Sequence, residues 1–297
     1  MPAAMTVRRA ARRSSWEGVM LHRISVGAAL AVALGMAVAV AQAADDKKHP
    51  DWTGSWVRLG GGQFDPSKPG ARGQDPPLTA EYSAIWDAAF ADEAAGGQQY
   101  NPQVQCLPSG MPRMMIAYEP LEIIVTPETT YFRFLYMNEL RRIFTDGRPW
   151  PRKIAPAFAG YSIGRWIDED GDGKYDVLVV ETRGFRGPRV ADVSGIPMHK
   201  DNETVIKERI YPDKADPNVV HDEITTIDNA LTRPWTIKRS YRRERKPLWM
   251  EYVCGEGNHH VFIGPENYVV SADGYLMPTK KDQAPPDLRY FTQSQRP

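Results

Sequence analysis

Cysteine is nearly absent from this chain: Cys106 and Cys254 are the only two in 297 residues. An even pair in an exported protein favours a disulfide over a nucleophile or a metal site. Charge of one sign is also lacking, with 37 basic and 37 acidic side chains and no basic stripe, so nucleic acid is a poor partner. The longest apolar run, Val26 to Val40, falls short of the ~18 or more residues expected of a spanning helix. The sequence holds no Gly-x-Ser-x-Gly, no Walker loop, no dinucleotide fingerprint and no zinc-protease helix, and no internal repeat. No organic cofactor is expected, and the ligand and the oligomeric state are not readable from the residues.

The first 43 residues read as a secretory signal peptide. Arginines at 8, 9, 12, 13 and 23 precede the apolar run, and Ala41-Gln42-Ala43 matches the small-x-small cleavage pattern. Translation from Met1, Met5 or Met20 gives the same mature chain. Without residues 1–43, 32 basic and 36 acidic side chains remain, a net charge near −4, on a chain bound for the periplasm or the exterior. Residues 44–297 are expected to form one domain, with an N-terminal arm and helix (44–118) packed on a β-rich body, since all-β barrels of this size commonly fold as a unit.

One convincing helix is present. Thr79 can cap it, Glu81 suits its positive end, and Tyr82, Ile85, Trp86, Ala89 and Phe90 recur at helical spacing between Leu78 and Ala95. After Pro120 the chain changes to short β-branched and aromatic runs separated by turn residues. The expected strands lie near 120–126, 129–137, 139–145, 161–167, 176–183, 203–211, 220–228, 234–243 and 248–254. One helix leaves no material for parallel crossovers, which predicts an antiparallel meander of about nine to ten strands. Closure into a barrel removes the exposed edges, so the expected fold class is an all-β barrel of lipocalin-like meander type.

Several strands carry a charge on their apolar side. Residues two apart share a face, which aligns Arg165 with Tyr161, Ile163 and Ile167, and Arg142 with Leu140 and Phe144. Glu208 falls between Ile206 and Ile210, and Arg239 between Ile237 and Tyr241, with Trp235 beyond. A wet or ligand-filled interior accommodates all four. Three cations against one carboxylate call for an anionic ligand group or a further inward carboxylate, Glu122 being the nearest. Two other arrangements fit the same residues: a buried pair of Glu208 with an arginine in a filled core, or a register slipped by one, which swaps the faces. The ligand-binding candidates are Arg142, Arg165, Arg239, Trp166, Trp235 and Tyr241. They imply a small apolar or aromatic molecule with an anionic or polar group. An enzyme of isomerase, dehydratase or hydrolase type is the alternative, with Glu208 or His199 moving the proton and Asp192 orienting the histidine.

Asp168-Glu-Asp-Gly-Asp-Gly-Lys-Tyr-Asp176 resembles the opening half of a calcium loop, with Asp168, Asp170, Asp172 and Asp176 as ligands. Its twelfth position is Val179, where a bidentate Glu would close the site, and its flanks read as strands, so a calcium-clamped hairpin is expected in place of an EF-hand. A calcium-stabilised envelope module is therefore a third reading. Met111, Met114 and Met115 read as core packing, with soft-metal binding the minor alternative.

Five blocks, Asp146-Gly-Arg-Pro-Trp-Pro151, Gly160-Tyr-Ser-Ile-Gly-Arg-Trp166, Val177-Leu-Val-Val-Glu-Thr182, Glu208-Arg209 and Leu231-Thr-Arg-Pro-Trp-Thr236, together resemble a large uncharacterised family of exported bacterial proteins. The resemblance implies export and no particular activity. Members of that family carry a short Trp-Glu-Gly-Asp-Thr connection where this chain has its acidic loop, which makes the loop a local elaboration. Trp52-Thr-Gly-Ser-Trp56 is similar to the Gly-x-Trp opening of lipocalin barrels.

Overall fold

Nine strands close into a barrel in sequence order: β1 (Gly54–Arg58), β2 (Leu121–Val125), β3 (Thr129–Phe134), β4 (Leu140–Phe144), β5 (Tyr161–Ile167), β6 (Val177–Arg183), β7 (Val205–Pro212), β8 (Val219–Ile227) and β9 (Trp235–Glu244). The computed structural model describes residues 48–60, 73–97 and 101–287; the signal peptide expected over residues 1–43 lies outside them. Among the described residues no helix is long and apolar enough to cross a membrane. Pairing of β1 with both β2 and β9 closes the ring, so no edge remains for a tenth strand. The run expected as a strand at 248–254 accordingly leaves the barrel. Its Trp249 indole donates to Ser55 Oγ at 3.3 Å, and it ends in the short helix α2 (Cys254–Gly257).

One pairing departs from the antiparallel expectation. β4 and β5 run parallel, with Ile143 opposite Ser162, so the chain must return the length of the barrel between them. Parallel neighbours need a long connection, but it need not be a helix. Residues 145–160 make it in extended, proline-rich form, and the Asp146–Pro151 block fastens it. Arg148 pairs with Asp146 at 2.5 Å and lies 3.8 Å over the Phe144 ring, while Arg183 covers Trp150.

The helix forms as its caps and periodicity predict. α1 (Ala80–Ala94) starts at Thr79, whose side chain accepts from Tyr82 N at 3.4 Å. It buries Tyr82, Trp86 and Ala89, while Ile85 faces solvent. The Trp86 indole donates to Ser194 O at 2.8 Å, seating α1 on the 184–204 connection over the barrel end where β9 begins. The segment around Met111–Ile116 plugs the same end. Met111 and Met115 are wholly buried in the core, which is the packing role expected of these methionines. The opposite end is closed by aromatics: Trp52 and Trp166 are 5.0 Å apart, with His49 against Trp166. Beyond the barrel, β10 (His260–Ile263), β11 (Glu266–Val270) and β12 (Leu276–Pro278) form a small separate sheet that the sequence reading did not anticipate. A disulfide joins Cys106 to Cys254, tying the arm to the segment after β9.

Candidate functional site

Burial alternates along the barrel strands, and the alternation decides which charges face in. On β4 the buried residues are Arg141 and Ile143, with Arg142 exposed. On β5 they are Ser162, Gly164 and Trp166, with Arg165 exposed. The expectation that Arg142 and Arg165 point inward is therefore wrong by one residue. The physical reason is volume. A Cβ on Gly164 would lie 2.6 Å from Ile143 Cγ2 and 3.1 Å from Leu178 Cδ1, so at the middle of β5 the interior has room for a glycine but not for the Arg165 side chain. Arg165 and its neighbour Ile163 instead line an outer hollow of about 420 Å³ with Val179 and Lys207.

Glu208 does face inward, and its partner is Arg141. The guanidinium grips the carboxylate through both Nη atoms, with Nη1 donating to Oε1 at 2.7 Å. Nη2 also donates to Thr182 Oγ1 at 3.0 Å, and Ser162 and Thr182 hydroxyls lie 2.8 Å apart beside it. Both charged side chains are buried to within 1%. This is the filled-core arrangement: a desolvated ion pair whose donors and acceptors are met. Arg141 was missed because Leu140 and Phe144 outnumber Ile143 as flanking apolar residues. The inward hydroxyls of Ser162 and Thr182, paired across β5 and β6, were the available signal.

The second inward carboxyl is Asp222, opposite Arg239 on the β8–β9 ladder; Glu122 faces outward near Arg133. Asp222 is wholly buried and neither carboxyl oxygen has a hydrogen-bond partner. Burial pushes its pKa well above the ordinary carboxylate range, and the nearby Glu208 charge pushes the same way. The folded protein therefore holds this proton more tightly than an exposed aspartate would. Its position between Val220 and Ile224 obeys the flanking rule that identified Glu208.

Arg239 and Tyr241 face inward as expected, 8% and 1% exposed. The Tyr241 hydroxyl donates to the Met115 carbonyl, and burial raises its pKa well above the usual phenol value. Trp235 packs against the core beneath α1. Trp166 is buried at the opposite end, so it shares no site with Trp235. A cavity of about 340 Å³ opens where β1 ends and the first half of β9 continues, lined by Arg58, Trp235, Ile237 and Arg239, with Lys238, Gln74 and Asp75 around it.

The two loop residues expected to act together do not. His199 Nδ1 lies 2.8 Å from Asp201 Oδ2, whereas Asp192 accepts from Ser194 N and Oγ at 2.9 and 2.7 Å. The other Asp192 oxygen, Oδ2, is buried without a partner, and burial raises its pKa. Asp192 acts electrostatically on Arg239, which places it toward the barrel-end cluster and away from the histidine.

The acidic loop is a surface turn. Carboxylate oxygens of Asp168, Asp170 and Asp172 lie within 4.8 Å of one another. Asp168 accepts from Gly171 N and Gly173 N at 2.7 and 2.9 Å, both glycines having positive φ. Asp176 stands outside this trio and accepts from Glu169 N at 2.9 Å. The loop carboxylates are thus partly satisfied by their own backbone while still converging. Compared with protein-family models and with curated proteins, the chain matches none.

Proposed function

We propose that this protein is an exported β-barrel that binds a small, mainly apolar or aromatic molecule carrying an anionic group, and that the ligand sits at the barrel end instead of within the filled interior. The observation that carries the reading is the composition of the 340 Å³ cavity: Arg58, Lys238 and Arg239 against the single carboxylate Asp75, with Trp235 and Ile237 as apolar wall. A guanidinium fork beside an indole suits a planar anionic ligand, holding its charge by paired hydrogen bonds and its body by contact. Export is supported by the Cys106–Cys254 disulfide, a bond typical of oxidising compartments.

Asp192, which acts electrostatically on Arg239 without lining the cavity, favours a second reading, acid–base catalysis beside Arg239. A buried carboxyl held toward its neutral form, with one unpartnered oxygen and an arginine in electrostatic reach, has the chemistry of a general acid. Calcium is proposed for the Asp168, Asp170 and Asp172 trio as a stabilising ion, apart from the ligand site. Native mass spectrometry of protein purified from its own host tests the main reading. A stoichiometric, unmodified organic anion released on denaturation supports binding. Conversion of that compound by the purified protein, abolished by Asp192→Asn, supports the enzyme, and no bound compound with no response to organic anions overturns both.

A further inference from the structure

A second cavity, of about 390 Å³, lies between the N-terminal arm and the segment that follows β9. The arm supplies Asn101, Gln103 and Arg113, the turn between β3 and β4 supplies Tyr136, and the C-terminal segment supplies Tyr252 and His260. Its two walls are tied together. The disulfide joins Cys106 to Cys254, Asn258 Nδ2 donates to Val104 O at 2.6 Å, and Asn138 Nδ2 donates to Tyr252 O at 2.6 Å.

Arg113 is the unusual group in this cleft. It is only 5% exposed, and its Nε has no hydrogen-bond partner. Its remaining hydrogen bonds go to neutral groups, the Asn101 amide oxygen at 3.1 Å and the Tyr118 phenol. Among the described residues it makes no ion pair. The carboxyls that act on it, Asp192 and Glu139, are both driven toward their neutral acids by burial. Glu139 is further engaged, accepting from Gly110 N at 2.9 Å. A buried guanidinium is costly unless an anion meets it, and among the described residues no carboxylate pairs directly with this one, although Asp192 acts on it electrostatically.

The apolar element is a row of rings. Tyr136 lies 5.2 Å from Tyr118 and 4.9 Å from Tyr252 between ring centroids. The Tyr136 hydroxyl donates to Gln103 Oε1 at 3.3 Å, which leaves ring surface, and not the hydroxyl, as what it offers a ligand. Burial pushes its pKa up to about 12, so it brings no negative charge to oppose an anion. A cation set behind aromatic faces selects a planar molecule with a carboxylate at one end.

We propose that this cleft binds a small arene carboxylate, its carboxylate on the Arg113 guanidinium and its ring against Tyr136 and Tyr252. The cleft shares no lining residue with the cavity at Trp235 and Arg239, although Asp192 acts electrostatically on both Arg113 and Arg239.

Benzoate is the probe, titrated into the oxidised full-length mature protein by calorimetry and by amide NMR. Saturable binding is expected, with shift changes at Asn101, Tyr252 and His260. Arg113→Gln should weaken it roughly ten- to a hundredfold, the range for losing a charge-assisted hydrogen-bond pair, while Arg142→Gln on the outer surface leaves it unchanged. Should Arg113→Gln fail to fold, Tyr252→Leu at the half-exposed wall must weaken benzoate while keeping the parent's melting temperature. Absence of saturable binding, shift changes confined to Trp235 and Arg239, or equal affinity for cyclohexanecarboxylate would each overturn the proposal.

Discussion

Arg141 and Glu208 hold opposite charges where water does not reach them, and the pair is tolerable only because each partner satisfies the other. Removing one charge strands its partner. Glu208→Gln should therefore lower the unfolding free energy by about 3–5 kcal/mol, read from urea denaturation, and a loss below about 1 kcal/mol would show that water enters the barrel. Asp222 makes the opposite demand. Its pKa is raised in the folded state, so the native protein binds that proton more tightly than the unfolded chain does. The associated stability is complete below the unfolded pKa and is lost as pH rises toward the folded one. Asp192 and Glu139 are raised as well and add to the same trend. Asp222→Asn, which keeps the shape and removes the titration, should flatten the fall in melting temperature as pH rises above the ordinary carboxylate range; an unchanged slope would contradict the raised pKa. Which residues face inward was only half legible beforehand. Glu208 between Ile206 and Ile210, and Arg239 between Ile237 and Tyr241, are flanked by apolar residues on the correct side, but on β4 and β5 the inward face carries Ser162, Gly164 and Arg141. A barrel filled from other strands accepts small and hydrogen-bonding groups there, so counting apolar flanks picks the wrong side.

At the scale of elements, the helix and the strands from β2 to β9 were readable because each rests on local chemistry, a threonine cap or period-two runs, and the disulfide because the chain has only two cysteines; β1 (Gly54–Arg58), which closes the barrel, was not among the expected strands. The parallel β4–β5 pairing and the three-stranded sheet after α2 were not readable, since each depends on partners distant in sequence. The disulfide spans 148 residues, and closing so long a loop is worth about 5 kcal/mol on the chain-entropy model. Replacing both Cys106 and Cys254 by serine should lower stability in urea by an amount of that order, and a double variant as stable as the oxidised parent would contradict the staple. For the acidic loop, convergence of Asp168, Asp170 and Asp172 without a closing bidentate glutamate predicts weak calcium binding, on the order of 10⁻⁴ to 10⁻³ M. Millimolar calcium should raise the melting temperature of the parent but not of Asp170→Ala. Equal behaviour of the two proteins would leave the loop as a turn capped by its own backbone.

For the whole molecule, the packing that closes the barrel also determines where a ligand can go. Trp52 and Trp166 occupy one end, Met111 and Met115 enter the other, and the Arg141–Glu208 pair with its hydroxyls fills the ring between them. Among the described residues, what stays open is the strip of β9 that β1 does not cover, where Trp235, Ile237 and Arg239 meet Arg58. The proposed reading, an apolar molecule held by arginines, accordingly places its ligand at the end of the barrel and not in the filled interior. The direct test is fluorescence titration with 1-anilinonaphthalene-8-sulfonate, an aromatic anion, on the parent, Arg239→Gln, Trp235→Leu and Arg165→Gln, each first shown to be folded by its melting transition. Binding at the barrel end predicts affinity weakened roughly tenfold or more by the first two changes and unaffected by Arg165→Gln. Equal affinity in all four proteins, or a loss specific to Arg165→Gln, would contradict it.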